Sequence, residues 1–169
     1  RIALEIMRVA PDRVRRLALV STGVHSLQPG EVRKRFDLRR IEREQGMDAL
    51  TDAWLPPMVA EGNRTDPAIM EPLRAMCLNA GPKVFEAQID ALLARQEVEQ
   101  LLPAIACPTL VMCGNADSWS PPAQHERIAA AIPNSELVIV EGAGHMIQLE
   151  APDAVNAAIA RWLARPAND

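Results

Sequence analysis

The sequence predicts an α/β chain: a parallel sheet with helices on both faces and an all-helical insert between its first two strands. Three observations carry this. The apolar runs Leu110-Val111-Met112-Cys113 and Leu137-Val138-Ile139-Val140 each lead into a short turn and then a helical pattern. An earlier run, Arg16 to Ser21, ends in the same way at Thr22-Gly23. Residues 28–103, between the first and second of these runs, hold several helix boundaries and no convincing strand. Strand–helix–strand–helix order implies parallel pairing with right-handed crossovers.

The chain opens on Ile2, Ala3, Leu4, Ile6, Met7, Val9 and Ala10, a helical stripe that Pro11-Asp12 ends. Nothing before the stripe can cap it, and the first residue is Arg1, so a further segment is expected upstream. The strand Arg16–Ser21 follows. The insert carries much of the charge, as in Arg33-Lys34-Arg35 and Arg39, Arg40 and Arg43. Asp66-Pro67 opens a helix, with Thr65 or Asp66 as cap and proline at its first position. Gly81-Pro82 separates it from a second helical stretch, Lys83 to Arg95. Trp54, Met58, Met70, Met76 and Phe85 are expected to pack the insert helices together. Past the insert come a strand over Pro108–Cys113 and a helix over Pro121–Ile132, with Ala123, Ile128, Ala129, Ala131 and Ile132 at helical spacing. Ser120 reads as the cap of that helix. The strand Glu136–Val140 and a helix over Ala151–Leu163 complete the chain. The last two strands read as buried on both faces. The organisation expected is a core of residues 1–27 and 104–169 with a helical lid of residues 28–103.

Composition bounds the function. At 169 residues and 49% hydrophobic, the chain can bury a sizeable core. A net charge of −4 and 3% aromatic residues, with no Tyr, argue against a nucleic-acid partner. No apolar run reaches the roughly 18 residues of a membrane span, so no membrane partner is expected. Cys77, Cys107 and Cys113 are odd in number and lack metal spacing, which fits a reducing cytoplasm.

Asp117 and His145 carry the chemistry. Each lies just past an apolar strand, where ligand chemistry concentrates in open α/β sheets. A carboxylate and a histidine at the carboxyl ends of neighbouring parallel strands can meet, and the acid then orients the imidazole as a general base. Asp117 could instead be a turn residue, but Ser120 is better placed as the cap. Gly142 and Gly144 allow the sharp turn that presents His145. His25, at the end of the first strand, and Trp119 and Met146, beside the acid and the histidine in sequence, are candidate substrate-binding residues. His125 falls within the following helix and is expected to face solvent. Cys113, at the end of an apolar strand, reads as a small hydrophobe rather than a nucleophile.

These segments resemble the α/β-hydrolase family, in particular the carboxyl-terminal half of members with a helical cap. Leu110 to Asp117 resembles the family's acid strand and turn, Val140-Glu141-Gly142-Ala143-Gly144-His145 its histidine loop, and Leu149 to Leu163 its last helix. Residues 1–22 resemble the end of the helix after the nucleophile elbow and the next strand. The resemblance implies a parent serine hydrolase acting on a small-molecule acyl substrate, with Asp117 and His145 as catalytic acid and base and with no metal or organic cofactor. It also sets a departure: no Gly-x-Ser-x-Gly occurs, and Ser21, Ser26, Ser118, Ser120 and Ser135 lie outside any such context. The chain alone is therefore expected to be inactive. Its first strand is expected to pair with a missing amino-terminal half or with a second copy of itself. The rival readings are a binding protein that keeps the fold without the chemistry, distinguished by the residue at the elbow, and a truncated product without independent function.

Overall fold

The computed structural model describes residues 1–166. Three strands form one parallel sheet in the order β1-β2-β3: β1 (Leu17–Val20), β2 (Thr109–Gly114) and β3 (Ser135–Val140). Leu17 is level with Thr109, and Thr109 with Ser135, so the three strands start together; β2 and β3 also end together, Gly114 beside Val140, while β1 stops at Val20, level with Met112. Between β1 and β2 the described residues hold helices α2 (Glu31–Trp54) and α3 (Pro67–Leu93) with short 3-10 turns and no strand. Helix α4 (Pro122–Ala131) joins β2 to β3. The short α5 (Ile147–Glu150) and α6 (Pro152–Leu163) follow β3. Helix α1 (Ile2–Val9) precedes β1.

The period-two alternation of β2 divides the core. Val111 points to one face, where Leu4 and Met7 of α1, Leu17 and Leu19 of β1, and Ile128 and Ile132 around α4 close on it. Leu110 and Met112 point to the other face, against Val140, Ile147 and the α6 residues Val155, Ala158 and Trp162. The Trp162 indole N–H donates to the Pro108 carbonyl at 3.1 Å, so this large ring is buried without an orphaned donor.

β2 is buried along its whole length, as its apolar run predicts. β3 is not: most of it is half-buried and Leu137 is exposed. Among the described residues β3 pairs on one side only, so its outer edge meets solvent despite the apolar sequence. β1 also pairs on one side only among the described residues, and Ile2, Ile6 and Val9 of α1 are exposed.

The insert breaks at glycines. Gly46 interrupts α2 with φ of 85°, and Gly81 interrupts α3 with φ of 70°. Gly81 precedes Pro82, which excludes the helical region for the residue before it, and positive φ is open to glycine. Asp66 caps α3, its carboxylate accepting the Ala68 N–H at 2.9 Å. Leu55, Val59, Ile69 and Leu73 form the insert's own small core, with Trp54, Met70 and Met146 against it. Met76, expected in that packing, is exposed instead.

The turn after β2 and the turn after β3 touch. A Cβ on Gly114 would overlap the carbonyl groups of Ala143 and Gly144. The Ala116 N–H donates to the Ala143 carbonyl at 3.0 Å, which welds the turns together. Gly114→Ala is expected to cost about 3 kcal/mol through this forced separation. Urea unfolding of the variant beside the wild type measures it, and an unchanged midpoint would show that the turns are not in contact.

Candidate active site

The contact between the two turns brings Asp117 and His145 together. The His145 Nδ1 lies 2.9 Å from Asp117 Oδ2. With Nδ1–H donating to the carboxylate, the neutral imidazole keeps its lone pair on Nε2, the nitrogen a general base uses. Asp117 is 2% exposed. Burial alone would raise its carboxyl, but the hydrogen bond from His145 and the backbone N–H bonds of Ser120 and Trp119 outweigh this and hold it below the ordinary carboxylate range.

The two carboxylate oxygens of Asp117 have separate partners. Its Oδ2 meets the imidazole, while its Oδ1 accepts the N–H of Trp119 at 2.9 Å and of Ser120 at 2.8 Å, closing the turn into α4. Ser120 is not the cap of that helix. The helix starts at Pro122, the preceding residue is Pro121, and no side chain caps it.

His145 is held from the insert as well. Its N–H donates to the Met58 carbonyl at 2.8 Å. Gly144 lies so close to the insert that a Cβ there would stand 2.6 Å from the Ala60 nitrogen and 2.8 Å from the Met58 oxygen. Glu150, at the end of α5, fastens the same seam. One of its oxygens accepts the Ala60 N–H at 2.8 Å and the Asn63 amide at 2.9 Å. The other accepts the N–H of Gly144 at 3.0 Å and of Met146 at 3.2 Å. Sequence reasoning missed this role. A glutamate five residues past a histidine carries no sign of partners some 90 positions upstream.

A cavity of about 680 Å³ opens between the strand ends and the insert. His145, Trp119 and His25 line it. Met146 does not: it packs against the insert's small core around Leu55, Val59, Ile69 and Leu73. Trp119 stands between two rings, with its centroid 6.5 Å from the imidazole of His145 and 6.2 Å, edge to face, from Trp54. Arg35 and Met58 from the insert and Ser21 from the end of β1 complete the walls around these rings. Ser21 has φ of 43°, a left-handed conformation rare outside glycine, and its hydroxyl is buried without a partner. No cluster of metal-ligating side chains occurs among the described residues.

His125 is fully buried, not solvent-facing. Its Nε2 accepts the Thr22 N–H at 3.1 Å, and its Nδ1 lies 3.3 Å from the Pro121 carbonyl, so it ties the end of β1 to α4. The helical pattern showed that position 125 lies on a helix but not that its ring reaches back to another strand. Cys113 is fully buried, and burial, with Asp117 and Glu126 nearby, pushes its thiol up to about 11. It is no thiolate nucleophile at neutral pH.

The profile of the alpha/beta hydrolase family matches residues 2–158. A Caulobacter sp. (strain K31) protein described as a carbamate hydrolase, RutD, is 30% identical over 159 residues, which is 90% of this chain and 58% of that protein. A thermophilic esterase from Thermogutta terrifontis, solved with malate bound, superposes with a TM-score of 0.88 at 32% identity, over 96% of this chain and 60% of the esterase. The enol-lactonase from Burkholderia xenovorans LB400 superposes with a TM-score of 0.83 at 26% identity, over 96% of this chain and 61% of the lactonase. The chain thus spans about three fifths of the length of these relatives.

Burial of His125 sets a pH dependence. Burial is the largest influence on its ring and lowers its pKa below the ordinary histidine value. The unfolded chain therefore takes up this proton first. The stability that depends on the neutral ring is complete above the unfolded value of about 6.5 and is lost as pH falls through the folded one. The wild type is expected to lose more stability than His125→Gln between pH 7.5 and 5, measured by urea unfolding at each pH. Parallel curves for the two would refute the buried neutral ring.

Proposed function

The chain belongs to the alpha/beta hydrolase family, and on that premise we propose that Asp117 and His145 are the acid and base of a serine-hydrolase type of acyl hydrolysis. The observation that carries this reading is the 2.9 Å contact between a buried carboxylate and an imidazole at the rim of a cavity. In this reading His145 Nε2 removes the proton from an attacking serine hydroxyl and returns it to the leaving group. Asp117 fixes the ring with its proton on Nδ1 and stabilises the imidazolium formed in between. The insert acts as a lid, and the aromatic and methionine side chains it shares with Trp119 in the cavity suit a partly apolar substrate. The esterase, lactonase and carbamate hydrolase named among the relatives share attack on an acyl carbon, which supports that reaction class for this chain.

We place the nucleophile on a segment outside these 169 residues, since no Gly-x-Ser-x-Gly occurs within them. The free edge of β1 is where such a segment would pair, and the exposed Ile2, Ile6 and Val9 of α1 are apolar side chains it could cover. Self-association along the same edge is the competing use of that face.

Expression of the 169-residue chain with and without the polypeptide encoded immediately upstream tests this. Hydrolysis of a short-chain nitrophenyl ester is expected only with the upstream segment. His145→Ala and Asp117→Asn should each lower that rate by about 10⁴-fold or more. Turnover that survives His145→Ala would refute the role of the pair. His145-dependent turnover by the 169-residue chain alone would refute the external nucleophile.

A further inference from the structure

The charge in the cavity is uneven. Among the described residues, Arg1, Lys34, Arg35 and Arg95 line it against a single carboxylate, Glu31. Glu31 is shared: it meets Arg95 at 2.6 Å and Arg35 at 3.3 Å. Hydrogen bonds from Arg95 and the Gln28 N–H outweigh its burial and bring its carboxyl down to about 2, so it stays ionised. One negative charge between two guanidiniums leaves the pair under-neutralised, and Lys34 and Arg1 add to the imbalance. Arg1 shows the same crowding, since burial and the neighbouring Arg95 both hold its guanidinium below its ordinary value.

Arg35 stands out within this group. Its guanidinium carbon lies 5.5 Å over the Trp119 ring, and the imidazole of His145 flanks that same indole. Its side chain is 14% exposed, and its Nε is buried with no hydrogen-bond partner. A buried, charged donor without an acceptor is costly, and a ligand carboxylate is the acceptor that a guanidinium edge fits best. Stacking on the indole also restrains the guanidinium, which reduces the entropy lost when a carboxylate binds it. One aromatic ring thus separates an anion-binding group from the base nitrogen's own side chain.

We propose that the cavity takes an acyl substrate that carries a carboxylate of its own, docked on Arg35 with its reacting carbonyl toward His145. This rests on the acid–base reading of the same site and adds the class of substrate. A half-ester of a short dicarboxylic acid has the required form, with an ionised group at one end and an ester at the other. The Ser21 hydroxyl, buried without a partner at the end of β1, is a neutral donor available to the same ligand. The cations raise the local concentration of such anions, and salt screens that attraction.

The test is binding to the 169-residue chain, read by calorimetry and by nuclear magnetic resonance, with monomethyl glutarate and the neutral dimethyl glutarate as probes. The half-ester should bind at least about tenfold more tightly than the diester, weaken as salt is raised, and shift the Arg35 Nε–H resonance. Arg35→Gln should abolish the preference. Arg35→Lys should keep part of it, and Arg161→Gln, which removes the same charge from an exposed pair with Glu136, should leave it unchanged. Equal binding of the two probes, an unmoved Arg35 resonance, or a preference that survives Arg35→Gln would overturn the proposal. The Arg35 resonance needs no variant, so the test stands even where Arg35→Gln fails to fold. Hydrolysis of neutral nitrophenyl acetate by the chain with its upstream segment reads the Asp117–His145 pair separately. A failed anion preference with His145-dependent turnover therefore differs from the reverse.

Discussion

Everything at the site depends on two turns lying side by side, with Gly114 against the Ala143 and Gly144 carbonyls. The in-step register of β2 and β3 ends both strands at one level, and the missing side chain at position 114 lets the turns close. Asp117 three residues beyond one strand and His145 five residues beyond the other then meet at hydrogen-bond distance. The imidazole needs no special backbone of its own. Gly142, with φ of 70°, takes the turn on its behalf.

The insert fixes the other side of the histidine. Met58, Ala60 and Asn63 reach the histidine loop directly or through Glu150, so the insert and His145 share one hydrogen-bond network. A single carboxylate that satisfies four donors transmits any shift of the segment at 58–63 to residues 144–146. The cavity is therefore shaped by the same contacts that hold His145. Trp119 belongs to both as well: its N–H closes the Asp117 turn, and its ring lies beside the imidazole and under Arg35.

What the sequence revealed follows from the range of the interactions involved. β2 and the turn at Asp117 were legible because a buried parallel strand is an unbroken apolar run and its turn is local. The break at Gly81 was legible for the same reason, since Gly-Pro excludes a continuous helix. β3 reads alike but is half-exposed, because an edge position is set by which strands pair and not by its own residues. His125, Glu150 and Arg35 were not legible. Their partners are Thr22, Ala60 and Trp119, far away in the chain, and nothing in the local pattern names them. Met146 was misplaced on proximity to His145 alone. One residue along the chain the side chain points to the insert's core instead of the cavity.

With Asp117 buried 2.9 Å from Nδ1, the carboxylate should fix the tautomer of His145. The direct measurement is the pair of ring ¹⁵N shifts of His145 in the 169-residue chain, at a pH where the ring is neutral, for the wild type and for Asp117→Asn. Asparagine keeps an oxygen for the Trp119 and Ser120 N–H groups, so the turn survives while the negative charge is lost. A proton on Nδ1 and a bare Nε2 are predicted in the wild type, with that preference lost in the variant. A wild-type ring protonated on Nε2, or the same tautomer mixture in both proteins, would contradict it.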